Sequence, residues 1–101
     1  MSLKKQYLKK ADSCKVTFSL TKETVGSADS VCLVGDFNDW SQSANPMKKL
    51  KNGTFTASLN LEKDREYQFR YLLNGRQWEN DWQADKYLPN QHGSDNSVVI
   101  V

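Results

Sequence analysis

The sequence predicts an all-β domain: an antiparallel β-sandwich of about seven strands, built in the immunoglobulin-like manner. Three observations carry that expectation. Short segments alternate apolar and polar residues with the period of a strand. Two Asn-Gly pairs, Asn52-Gly53 and Asn74-Gly75, stand between such segments as hairpin turns. No stretch keeps a helical period over three turns, and there is no repeat or low-complexity tract. A chain of 101 residues holds one such domain and buries about two-thirds of its unfolded surface, enough for a core without staples.

In chain order, residues 1–13 read as a basic, flexible leader, with Lys4, Lys5, Lys9 and Lys10 and no acid in the first ten positions. The sandwich is expected over residues 14–101. Residues 14–20 put Val16, Phe18 and Leu20 on one face and Lys15, Thr17 and Ser19 on the other. A polar loop over 21–30 leads to Val31, Cys32, Leu33 and Val34, an apolar run suited to a strand covered on both faces. At Gly35 the run stops, and Asp36, Asn38 and Asp39 are turn formers that lead to Trp40 and a second polar loop. Residues 46–51 form a short strand ending at Asn52-Gly53, a turn type that asks both residues for positive φ. Residues 54–61 alternate with Phe55, Ala57, Leu59 and Leu61 inward; residues 66–73 put Tyr67, Phe69, Tyr71 and Leu73 on one face and Gln68, Arg70 and Leu72 on the other. The Asn74-Gly75 hairpin returns the chain through Trp78. Residues 80–95 have no period and read as a long surface loop, and 96–101 close the chain as a strand buried on both sides.

Charge and composition exclude several classes. The net charge is +2, and without the four leader lysines the remainder is slightly acidic, so a nucleic-acid-binding body is not expected. There is no signal-peptide core and no run of transmembrane length, which makes a membrane partner unexpected and a cytoplasmic protein the expectation. Cys14 and Cys32 are then expected as free thiols, a bridge between them being the lesser alternative. With His92 the single histidine, no metal site of the zinc type is expected. Asp36, Asp39, Asp81 and Asp85 all fall in loops, but turns favour Asp for backbone reasons and so small a sandwich rarely builds a catalytic cleft. No nucleophile has a histidine at motif spacing. The chain is read as non-catalytic, with no cofactor.

The aromatic residues say more. Three Trp and four Tyr exceed what one small core needs. The periodic rings Phe18, Phe55, Tyr67, Phe69 and Tyr71 belong to the core. Trp40, Trp78 and Trp82 instead stand at strand ends or in loops, among Asn, Gln, Asp and Arg. From composition alone they either cap the ends of the sandwich or form a flat platform for a pyranose ring or a base. Neighbouring amides and a guanidinium suit sugar hydroxyls.

Three pieces occur in a characteristic order: Gly35-Asp-Phe-Asn-Asp-Trp40, the 66–73 strand with Asn-Gly and then Trp78, and Gly93-Ser-Asp-Asn96-Ser97 before the last strand. Together they resemble the isoamylase N-terminal, or early-set, carbohydrate-binding modules of family 48. That set includes the glycogen-binding domain of the AMP-activated protein kinase beta subunit and modules of glycogen branching and debranching enzymes. The resemblance implies a sandwich that binds α-1,4-linked glucan, as glycogen or starch. By position it implies Trp40 and Trp78 as stacking platforms, Arg70 as the basic residue that bonds hydroxyls, and Asn96 as the amide that closes the site. Trp82, His92 and Ser94 are further candidates. The sequence departs from the family pattern by one extra hairpin residue, Gln77, before Trp78. It also departs by His92 where glycogen binders carry an apolar side chain, and by Trp82 where many relatives have Pro. The implied partner is an α-glucan polysaccharide; a glucan-metabolising enzyme or self-association are the partners a free-standing module would add. The rival expectation is a protein-interaction module of the same fold, with Trp78, Trp82 and Tyr87 as its patch.

Overall fold

A computed structural model describes residues 3–9 and 12–101. Among these residues the strands are β1 (Leu3–Tyr7), β2 (Ser13–Leu20), β3 (Val31–Gly35), β4 (Lys48–Lys49), β5 (Phe55–Glu62), β6 (Glu66–Leu73), β7 (Gln77–Glu79), β8 (Lys86–Pro89) and β9 (Asp95–Ile100), with a one-turn helix, α1 (Lys22–Val25), and a 3-10 turn over Asp36–Asn38. One sheet has the order β1-β2-β5-β4 and the other β3-β6-β9-β8, with β7 also paired to β6. Every pairing is antiparallel. The molecule is the immunoglobulin-like sandwich that the strand pattern called for.

The alternation of β2 explains the packing. Cys14, Val16, Phe18 and Leu20 are buried, and they face Leu33, Phe69, Tyr71 and Val99 of the opposite sheet within one core cluster. Phe69 is its centre, edge-on to Phe18 at 5.1 Å and to Tyr71 at 5.6 Å between ring centroids, the geometry that the ring quadrupoles favour. Val34, Leu72 and Val98 are equally buried but belong to the other face of the β3-β6-β9 sheet. That sheet is therefore covered on both sides, as the apolar runs of β3 and β9 required.

Four expectations need correction. Residues 3–7, assigned to a flexible leader, form strand β1, in register with β2 from Leu3↔Phe18 to Tyr7↔Cys14. Leu3 enters the core, and the Lys5 ammonium reaches the Asp85 carboxylate at 2.7 Å, a bond that ties β1 to the rim of the other sheet. Met1, Ser2, Lys10 and Ala11 of that leader lie outside the described residues. The 21–30 loop contains α1, where Thr21 Oγ1 accepts from the Thr24 amide and Val25 is buried. The 80–95 loop contains β8, which pairs with β9.

The last correction concerns Asn52-Gly53, where Gly53 alone takes positive φ (87°). The Gly53 amide donates to the Leu50 carbonyl and the Leu50 amide to the Thr54 carbonyl, a three-residue loop closed by a left-handed glycine. Asn74-Gly75 does place both residues at positive φ, 53° and 70°. Cys14 and Cys32 are free thiols on strands of different sheets.

Candidate functional site

Strand alternation sets where the site lies. Residues opposite one another in an antiparallel pair point to the same face. Phe69, Tyr71 and Leu73 point inward, so Gln68, Arg70 and Leu72 point outward from β6. Trp78 pairs with Leu72, and Gln68 with Val98 two residues from Asn96. Arg70, Trp78 and Asn96 thus share the outer face of one sheet. Trp40 joins them from the turn after β3, and together with Gln42, Gln68, Pro89, Asn90, Gln91, His92, Ser94 and Asp36 they line one open concavity of about 1080 Å³.

Each wall has a local cause. Gly35 ends β3 against β6, where a Cβ would meet the Gln68 carbonyl oxygen at 2.5 Å and Phe69 Cβ at 2.8 Å. No larger residue fits that approach. Asn38 then holds the turn. Its Oδ1 accepts from the Gly35 amide at 3.1 Å, and its Nδ2 donates to the Leu33 carbonyl at 2.9 Å and to Asn45 Oδ1 at 2.7 Å. Asp39 and Trp40 follow at φ 56° and 59°, a reversal that swings the indole back over the sheet. Asp36 fixes the ring: its Oδ1 accepts from Trp40 Nε1 at 2.9 Å while its Oδ2 accepts from the Gln68 amide at 2.7 Å. One carboxylate thus joins the Trp40 ring to strand β6.

On the other side, the extra hairpin residue is absorbed in the turn. The Arg76 amide donates to the Leu73 carbonyl, and pairing resumes at Leu73↔Gln77. Trp78 keeps the face it shares with Arg70, and the Arg70 guanidinium lies 5.8 Å from its ring centroid. A cation over the indole holds both groups in place. Arg70 Nε is buried and has no hydrogen-bond acceptor among the described residues. Trp78 remains 37% exposed, so its other surface is free for contact.

Asn96 is nearly buried, and its amide is engaged: Nδ2 donates to Gln68 Oε1 and Oδ1 accepts from Asn90 Nδ2, both at 3.1 Å. Asn90 in turn accepts from the amides of His92 and Ser94, an Asx-type turn that sets the His92 rim. Asn96 therefore acts as the joint between the floor of the site and its far rim. Trp82 is set apart from this group. It is 71% exposed and does not line the concavity, because the adjoining Asp81 is wholly buried and anchors the segment. Asp81 accepts from the Tyr71 hydroxyl at 2.8 Å and from the Gln83 amide, and its own amide donates to Ser97 Oγ. Burial first, and then the Asp81 charge, hold the Tyr71 phenol well above its ordinary pKa. Asp81, grouped in the sequence with the loop aspartates, is a buried structural group.

Sequence reasoning missed Asp36 as the holder of Trp40, reading it only as a turn former. It also missed Gln68 and Asn90. The spacing of Asp36 and Trp40, four residues across a turn, was the available signal.

The family model for carbohydrate-binding module 48 (isoamylase N-terminal domain) matches residues 8–88. The chain belongs to that family. Among curated proteins none matches the sequence. The family is one of carbohydrate-binding modules, so glucan-type carbohydrate is the ligand class that membership implies. The matched span includes Trp40, Arg70 and Trp78; Asn96 and the His92 rim follow it, and they reach the same concavity through β9 pairing with β6. As a family 48 module, this chain carries its aromatic and polar groups together on one sheet face.

Proposed function

We propose that the module binds α-1,4-linked glucan, as glycogen or starch, without acting on it chemically. The observation that carries this reading is the joint lining of one concavity by Trp40 and Trp78, with Arg70 between them in sequence and packed on the second ring. The α-1,4 linkage curves a glucan chain, so successive glucose rings turn their C–H faces toward such a concave surface. Trp40 and Trp78 serve as the two platforms. The Arg70 guanidinium, which lines the concavity, donates to sugar hydroxyls, and the amides of Gln42 and Gln91 serve neighbouring ones. Stacking is worth about 1–3 kcal/mol per ring by analogy with bases, and each net hydrogen bond about 0.5–1.5 kcal/mol. After ordering costs, dissociation constants fall in about the micromolar to millimolar range. That suits a module that localises a glucan-metabolising partner on a polymer with many equivalent chains.

Native electrophoresis through gels with and without glycogen tests this. The wild-type chain is expected to be retarded by glycogen, and Trp40→Ala and Trp78→Ala each to run as though glycogen were absent. A wild-type chain that migrates equally in both gels, and equally in starch, contradicts the proposal.

A further inference from the structure

A second cleft, of about 390 Å³, opens where α1 meets the β4–β5 hairpin, and it shares no lining residue with the concavity described above. Its charged lining is all of one sign: Lys22 from α1, Lys49 from β4 and Lys51 from the turn, with Asn52 beside them. Its apolar lining is Val25, Ala28 and Phe55, all buried. No carboxylate lines it, and among the described residues none of the three lysines is in an ion pair.

The lysines are also placed. The stem of Lys22 crosses Gly53 so closely that a Cβ there would meet its Cδ at 3.0 Å and its Cβ and Cγ at 3.1 Å. The Lys49 ammonium stands 5.9 Å from the Phe55 ring centroid, held over the apolar lining. Three cations around one small cleft repel one another, and a compact dianion relieves that repulsion.

We propose that this cleft binds a phosphate monoester. Such a group carries about −1.5 to −2 charges near neutral pH and three acceptor oxygens, which match three ammonium groups acting as point charges. A volume of about 390 Å³ sits at the small end of the range for small-molecule sites, and the apolar lining takes the organic body that bears the phosphate. The monoester comes either as a free sugar phosphate or as a phosphate carried on a glucan chain.

Amide spectra of the isotope-labelled chain test this, titrated with glucose 6-phosphate, with glucose, and with a phosphorylated maltodextrin. Glucose 6-phosphate is expected to shift the amides of Lys22, Lys51, Asn52 and Gly53 saturably, and glucose to leave them unmoved. Lys22→Met and Lys51→Met keep the aliphatic stems, and each is expected to weaken binding roughly fivefold, the upper range for an exposed charge pair. Raising the salt concentration should weaken it further. Trp40→Ala should leave this response intact, so the two sites succeed or fail separately. A maltodextrin phosphate that binds more tightly than glucose 6-phosphate, and loses that advantage in Trp40→Ala, identifies the polymer as the source; equal affinities identify the free ester. Absence of saturable shifts at these amides, or shifts that the double Lys→Met variant retains, overturns the proposal.

Discussion

An aromatic ring offered to a sugar has to be held in place beforehand, because freedom that it keeps in the free protein is lost on binding. For Trp40 the restraint is the Asp36 carboxylate, which bonds the indole N–H on one side and the β6 backbone on the other. Removing it in Asp36→Ala frees the ring while leaving its stacking surface intact. The expected result is an affinity for maltoheptaose about tenfold lower, from the loss of a charge-assisted hydrogen bond, with little change in melting temperature because Asp36 is exposed. Asp36→Asn keeps an acceptor for the indole N–H and should recover most of the affinity. Equal losses in both variants would point to general damage instead. Little of this role was legible in the sequence beyond the four-residue spacing of Asp36 and Trp40. Asp in a Gly-Asp-Phe-Asn turn is expected for backbone reasons alone, and the partnership with Gln68 spans 32 positions.

Among the elements, β2, β5 and β6 were legible because their alternation reports burial directly, and β3 and β9 because their apolar runs ask for cover on both faces. Strand β1 was not. Its exposed lysines mask a strand in which Leu3 is the buried side chain, and pairing with β2 rather than composition makes it a strand. Leu3→Ala is therefore expected to cost about 2 kcal/mol in urea unfolding, the low end for a buried leucine, where a free leader would show no change. Strand β8 was hidden by Pro89 and by the lack of a period, and α1 is a single turn, too short to show one.

The Tyr71–Asp81 bond that fastens the 80–95 segment to β6 gives a pH test. The folded chain keeps the Tyr71 proton well above pH 10.0 while the unfolded chain releases it near that value. Above pH 10.0 the folded state thus binds more protons, so this contribution to stability is full below that pH and falls as pH rises beyond it. Tyr71→Phe should start about 1–3 kcal/mol less stable, since it leaves a buried carboxylate oxygen without that donor, and should lose stability with a shallower alkaline slope. Thermal melts across the alkaline range compare the two slopes, and identical slopes would rule out Tyr71 as the source.

For the whole molecule, the sandwich has divided its two sheets by task. The β1-β2-β5-β4 sheet closes the core and presents Lys4, Lys15, Thr17 and Ser58 outward, whereas the β3-β6-β9-β8 sheet packs one face on the core and carries, over buried Val34, Leu72 and Val98, the lined concavity on the other. The convergence of Trp40, Arg70, Trp78 and Asn96 was legible as a resemblance of motifs, from which the hairpin before Trp78 departs by Gln77. The position of Trp78 depends on how a turn absorbs one residue, which only the register Leu72↔Trp78 reveals. The distribution of roles was less legible: Asn96 acts as a joint and Trp82 stands aside. The most direct measurement is a titration of the chain with maltoheptaose, followed by tryptophan fluorescence. The expected result is a saturable change with a dissociation constant in about the micromolar to millimolar range, lost in both Trp40→Ala and Trp78→Ala and kept in Trp82→Ala. A flat titration of the wild-type chain, or a response that survives in Trp40→Ala and Trp78→Ala and vanishes in Trp82→Ala, would contradict the assignment of the concavity as the glucan site.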